Sequence, residues 1–318
     1  MAADTRVAAM VLVADRRQEV IKAVRSLYEQ DVPGLDVVVV DNDSHDGSAA
    51  AVAAEFPEAR VIRLPYNTGV CLGRNIAFEN TTAPLVFQLD DDAVAPPGVL
   101  RRLIEEMEAD PRLAIAVPRI VRVEPGAEPP TRGSRGGPVK RYVGSFTGCA
   151  VLVRRAAIDA VGYLWREDFF REREEPELLW RLLDAGYLAA RIEDVEVYHY
   201  LSARTRNPAQ VYYNVRNGIV SAAQYFPPAT ALAALAWKLA TYPVRAAAYG
   251  RLRDLAADYR GLAAAAFRGF RDRRPLGGET WRLYRRLRRS EAADLAELEP
   301  MLAAGDGRAP ASRVREPA

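Results

Sequence analysis

The stretch "LVFQLDDDAVAPPG", Leu85–Gly98, ends a nearly continuous apolar run in three adjacent carboxylates, Asp90, Asp91 and Asp92. A short unbroken apolar run is the pattern of a strand buried on both faces. The pattern recurs in "VAAMVLV" (Val7–Val13), "DVVVV" (Asp36–Val40), "RVIRL" and "LAIAVP". Helical patterns lie between these runs. "RQEVIKAVRSLYEQ" sets Val20, Val24 and Leu27 on one face, and "GSAAAVAAEF" follows the second strand. "PPGVLRRLIEEMEADP" opens at Pro97 and closes before Pro111. The alternation predicts an α/β fold, a mostly parallel central sheet with helices on both faces. Ligands of such sheets bind beyond the carboxyl ends of the strands. The polar clusters "DNDSHDGS" and "LDDD" fall at those ends.

The composition bounds the function. A chain of 318 residues can bury a large core, and a net charge of +2 selects no partner. Cys71 and Cys149 show no metal-ligand spacing, which fits a reducing compartment. The opening "MAADTRVAAMVLVADRR" lacks a basic lead and a cleavage site, so it reads as a strand and not a signal peptide. "PATALAALAWKLATYPV" is interrupted by Lys238 and is shorter than the roughly 20 residues a bilayer span requires. The expected location is cytoplasmic, with peripheral seating on the inner face of the cell membrane left open.

Asp46, followed by Gly47, is explained as a turn former. Three adjacent aspartates are not, because each raises the pKa of the others unless positive charge is near. A hard divalent cation with oxygen ligands, Mg2+ or Mn2+, answers that need. The chain has no G-x-x-x-x-G-K-[ST] loop and no G-x-G-x-x-G after its first strand, so P-loop and dinucleotide readings lose support. "DNDSHDG" fails as a calcium loop: His45 stands where Asp or Asn belongs, and Gly47 comes one place late.

"VVVVDNDSHDGS", "NTGVCLGRN" and "FQLDDDAVAP", in this order and spacing, resemble the family 2 glycosyltransferases with the GT-A fold. "GSFTGCAVLVRRAAIDAVGYLWREDFFREREEPELLWRLLDAGY" resembles that family's acceptor-side segment. "VEVYHY" and "YYNVRNGIV" are similar to its bacterial rhamnosyltransferase-like branch. The resemblance covers Val7 to Tyr225. It implies a UDP- or dTDP-sugar donor, a hydroxyl acceptor that is a glycan, lipid-linked or a small molecule, and inversion at the anomeric carbon. Asp41 would accept the N3–H of a uracil or thymine ring, a donor that cytosine lacks. Asn67, Gly69, Arg74 and Asn75 would lie along the nucleotide. Asp90 would face the ribose or sugar, Asp91 would aid that contact, and Asp92 would bind the metal bridging the phosphates.

The same resemblance assigns the acceptor side. Glu174 and Glu175 sit where the family carries its acidic pair, and Glu175 takes the position of the usual catalytic Asp. Which of the two is the base stays open, since Glu for Asp adds a methylene. Glu172, Glu174, Glu175 and Glu177 also suit a helix N-terminus as charges alone. His199 matches the family's metal-binding His, although the small residues that usually follow are "YLS" here. The first strand ends in "VADRR", so Asp15 or Arg16 would take over a base or ribose contact. Arg216, in "YYNVRNGIV", would reach the diphosphate or the acceptor.

The expected organisation is a GT-A domain at 1–225, an Arg-rich helical extension at 226–304 and a disordered tail at 305–318. "RVEPGAEPPTRGSRGGPVKRYVG" reads as a mobile loop over the donor. Between Arg245 and Arg289 there are 13 arginines with aromatic residues interleaved, which suits an anionic membrane surface. A solvated surface or a homodimer contact explains the same charge. Nucleic acid is not expected, as no recognition module accompanies it. Two other functions compete. Asp90 could be the nucleophile of a haloacid dehalogenase-like phosphatase, or the chain could be a non-catalytic membrane-surface binding protein.

Overall fold

The structure, a computed structural model, describes residues 7–124, 127–128, 139–200, 208–292 and 294–303. Most of the Gly/Pro/Arg-rich segment and all of the tail after Gly305 lie outside the described residues.

Strands and helices first alternate: β1 (Val7–Val13), α1 (Arg17–Tyr28), β2 (Asp36–Asp41), α2 (Ser48–Glu55), β3 (Arg60–Arg63), α3 (Gly69–Glu79) and β4 (Leu85–Asp90). There follow β5 (Ala93–Val94), α4 (Val99–Ala109), β6 (Leu113–Val123), β7 (Lys140–Tyr142), β8 (Ala150–Arg154), α5 (Arg155–Val161), α6 (Glu174–Asp184) and β9 (Leu188–Tyr200). The chain then turns helical: α7 (Pro208–Tyr225), α8 (Pro228–Ala248), α9 (Leu255–Arg271), α10 (Gly278–Arg289) and α11 (Glu299–Ala303).

The strand order is β3-β2-β1-β4-β8-β6-β9-β5, with β7 also on β9. β3, β2, β1 and β4 are parallel, as the apolar runs imply. Beyond β4 the expectation of a mostly parallel sheet is corrected to a mixed one. β8 runs antiparallel between β4 and β6, and β5 and β7 run antiparallel to β9. The reason is physical. β8, "AVLVR", is buried along most of its length, and a strand covered on both faces has the same apolar pattern in either direction.

The parallel half aligns its carboxyl ends. Val13 pairs with Asp41 and Leu12 with Asp90, so the two acidic clusters share one edge. β9 shifts register against β6 at two places, and such irregularities bend a strand. Its far end then pairs with β5, placing His199 opposite Ala93, next to the aspartate triplet.

One apolar core runs through the described chain. Val7, Val39 and Phe87 of the sheet share it with Val215 and Ile219 of α7, Tyr242 of α8, Leu262 of α9 and Leu283 of α10. The C-terminal helices join that core through other helices: α8 and α9 pack on α7, and α10 packs on α6. No described helix is long and apolar enough to cross a membrane.

Candidate active site

The triplet begins at the last residue of β4 and fills the turn to β5. The chain supplies positive charge to it. Arg16, just after β1, donates to Asp91 at 3.1 Å and also to Asp92. Arg74, on α3, donates to Asp90. His199 Nε2 lies 3.0 Å from Asp92 Oδ1. Of the two candidates at the end of the first strand, Arg16 is the one at the triplet, on the carboxylates themselves. Asp15 instead accepts from the His45 N–H at 2.7 Å.

These contacts split the three carboxyls. Burial favours the neutral form of Asp92, but the hydrogen bond from His199 and the charge of Arg16 outweigh it and hold Asp92 below the usual range. Burial pushes Asp91 up to about 8, against the pull of Arg16. Burial also raises Asp90, with Arg74 opposing it. The hydrogen bond to Asp92 raises His199.

The expected nucleotide residues divide. Asp41 is buried at the end of β2, where its Oδ1 accepts from the Ser44 N–H at 2.9 Å. Asn67 accepts from the Gly69 N–H at 2.9 Å and from Asn42 at 3.2 Å, which fixes the turn into α3. Gly69 has φ +82°, and a Cβ there would stand 2.5 Å from the Phe170 ring. Glycine thus permits a close approach, here to Phe170 on the acceptor-side segment. Asn75 is buried, with both ends of its amide engaged. Its side chain donates to the Trp165 carbonyl at 2.7 Å and accepts from the Trp165 N–H at 2.9 Å.

Glu174 and Glu175 open α6. Arg74 Nη1 lies 3.3 Å from Glu174 Oε1, so one guanidinium joins Asp90 to Glu174. Glu174 Oε2 is buried without a partner. Burial, then the charge of Glu175, raises the Glu174 carboxyl to about 8. Glu175 keeps some exposure, accepts from the Gly148 N–H at 3.0 Å, and is raised chiefly by burial.

The segment before α6 is strained. Phe170, Glu172 and Arg173 have φ of +58°, +70° and +71°, a region that costs L-residues energy and gathers at functional sites. Asn217 of α7 holds it. Its Nδ2 lies 3.0 Å from the Phe169 carbonyl and 2.8 Å from those of Arg171 and Glu172. Arg216 is engaged nearby but away from the triplet, donating to the Asp168 carbonyl at 2.8 Å. Asp168 also accepts from Arg166 at 2.6 Å and Arg268 at 3.0 Å.

A divalent ion fits part of this set. Ligand atoms of Asp90, His199 and Cys149 lie within 4.8 Å of one another, and Asp92 touches His199. Carboxylates suit Mn2+ or Mg2+, whereas the imidazole of His199 is a ligand more usual for transition metals than for Mg2+. Cys149 suits Mn2+ or Mg2+ poorly, because burial drives its thiol well above the ordinary value and keeps it protonated. No spacing in the sequence marked Cys149. Antiparallel pairing of β8 with β4 brings it beside Asp90.

Residues 10–162 match the family described as glycosyl transferase family 2. That stretch of the chain is similar to a family 2 glycosyltransferase domain. It is 31% identical to the pre-mycofactocin glycosyltransferase of Mycobacterium tuberculosis over 48% of this chain and 35% of that one. It thus spans about a third of that relative's length. It is 28% identical to that organism's N-acetylglucosaminyl-diphospho-decaprenol L-rhamnosyltransferase, over 55% of this chain and 70% of the relative. The mannosyltransferase PcManGT from Pyrobaculum calidifontis, solved with GDP-Man and Mn2+, superposes with a TM-score of 0.55 at 20% identity. That alignment covers 86% of this chain and 89% of the other. The likeness shows the GT-A fold.

Proposed function

We propose that this protein moves a sugar from a nucleoside-diphosphate sugar, UDP- or dTDP-linked, to an acceptor hydroxyl with inversion. The observation that carries the reading is Arg74, which ties the donor-side Asp90 to the acceptor-side Glu174. Asp41 would receive the base at the end of β2. Asp90, Asp92 and His199 would hold Mg2+ or Mn2+. That ion, when bound, neutralises charge on the departing diphosphate. Glu175, the more accessible of the pair, would take the acceptor proton while Gly148 holds it in place. Glu174, held on Arg74 and proton-retaining, would set its charge environment.

The name of the rhamnosyltransferase relative supports a lipid-linked diphosphate sugar as one acceptor class. Exposed Leu232, Trp237 and Val244 on α8 support work at the cytoplasmic membrane surface. The phosphatase alternative loses ground, since such enzymes need a lysine beside the nucleophile. Lys140 pairs with Glu106, Lys238 lies against Gly218, and no described lysine pairs with Asp90. The test is donor turnover. Glu175→Gln should abolish transfer while leaving nucleotide binding intact; transfer at the wild-type rate would defeat the assignment.

A further inference from the structure

Arg173 and Lys238 approach each other across Gly218 of α7. Lys238 Nζ lies 2.5 Å and Arg173 Nε 3.7 Å from the point where a Cβ on Gly218 would stand. Glycine leaves the space that the two cations share. Neither is paired with a carboxylate among the described residues, and Arg173 Nε is buried with no partner. Burial and the charge of Arg173 bring Lys238 down to about 8. Two half-buried cations side by side are costly without an anion.

More positive charge continues from this pair. Arg245 lies seven residues after Lys238 on α8, on the same side of the helix. Arg288 of α10 acts electrostatically on Arg173 and, with Arg141, Arg289 and Glu291, lines a cavity of about 370 Å³; Glu291 is itself paired with Arg191. Arg245, Arg288 and Arg289 have no carboxylate partner among the described residues. Arg173 directly precedes the Glu174–Glu175 pair.

We propose that Arg173, Lys238 and Arg288 form an anion subsite that holds the diphosphate of a glycosyl-diphosphate acceptor. The inference rests on the glycosyl-transfer reading and specifies its acceptor. A guanidinium fork matches phosphate oxygens and an ammonium adds a point charge, so several converging cations suit a diphosphate better than one carboxylate. The cations come from α6's approach, α8 and α10, whereas the donor-side residues come from β2, α3 and β4. A diphosphate held at Arg173 presents its attached sugar to Glu175. Trp237 and Val244, exposed beside Lys238 and Arg245, give a lipid tail an apolar path.

The test is calorimetric titration of the full chain with inorganic pyrophosphate while UDP and Mg2+ saturate the donor site. Wild type should bind one equivalent. Lys238→Met should weaken it about tenfold or more, the scale of a charge-assisted contact, with UDP affinity unchanged. Arg288→Gln, on a different helix, should weaken it as well. Pyrophosphate binding that UDP abolishes, or that both variants leave unaltered, overturns the proposal. If pyrophosphate binds as stated but neither UDP nor dTDP does, the donor reading fails and the anion subsite stands. Farnesyl diphosphate binding more tightly than pyrophosphate assigns the source to a lipid-linked acceptor. Equal affinity assigns it to a soluble glycosyl diphosphate.

Discussion

Arg74 donates to Asp90 with one guanidinium nitrogen and lies 3.3 Å from Glu174 with the other. It is the buried bond between the end of β4 and the start of α6. Its own positive form is held by Asp90 and Glu174 against the penalty of burial.

Removing that guanidinium leaves the half-buried Asp90 without its counter-ion and the buried Glu174 Oε1 without its donor. Arg74→Ala should cost about 3–5 kcal/mol, the range for breaking a buried pair. Arg74→Lys should recover only part, because an ammonium cannot span both partners as a planar fork does. Chemical denaturation checks both variants. An unaltered unfolding midpoint for Arg74→Ala would contradict the bridge.

Glu174 makes stability depend on pH in a defined direction. Its carboxyl is raised to about 8 in the folded chain, while the unfolded chain loses that proton near 4.5. Between those values the native state binds more protons, so stability falls as pH rises toward 8. Asp91, also raised to about 8, adds to the same slope. Melting temperature should therefore decline across this window, and Glu174→Gln should flatten the decline. A wild-type melting temperature that climbs through it would contradict the assigned environment.

The strained turn before α6 has a single amide behind it. Asn217→Ala should release the carbonyls of Phe169, Arg171 and Glu172. The carboxylate pair then loses its fixed approach, and kcat should fall about a hundredfold, the scale of a misplaced catalytic group. Donor affinity should hold, which a general loss of folding would not allow. Steady-state kinetics with a binding measurement separate the two.

Gly69 is constrained twice, by φ +82° and by Phe170 at 2.5 Å from any added Cβ. Gly69→Ala should cost roughly 1–3 kcal/mol from backbone strain alone. The equivalent change at Gly34, also at positive φ but with open space around it, should cost less. Equal losses would remove Phe170 from the explanation.

Much of this architecture was legible in the residues. The four parallel strands follow from continuous apolar runs, and the clusters at Asp41 and Asp90 fall at their carboxyl ends as that topology requires. The antiparallel entry of β8 was not legible, because a doubly buried strand carries no directional signal. That strand hides Cys149 from any spacing argument. Asn75 shows the complementary limit: its neighbours suggest a nucleotide contact, but both ends of its amide serve the Trp165 backbone. Arg216 likewise serves Asp168. Local sequence cannot tell a polar side chain facing a ligand from one facing another loop. The arginines after Arg245 divide in the same way. Arg251 pairs with Asp258 and Arg268 with Asp168, while Arg288 and Arg289 face the cavity.

The central claim is that the triplet, with a divalent ion, receives a nucleoside diphosphate. The most direct measurement is the melting temperature of wild type and Asp92→Asn with UDP, dTDP and GDP, each with and without Mn2+ or Mg2+. UDP or dTDP should stabilise wild type only when metal is present, and Asp92→Asn should lose that gain. Stabilisation without metal, or equal stabilisation of the variant, would contradict it.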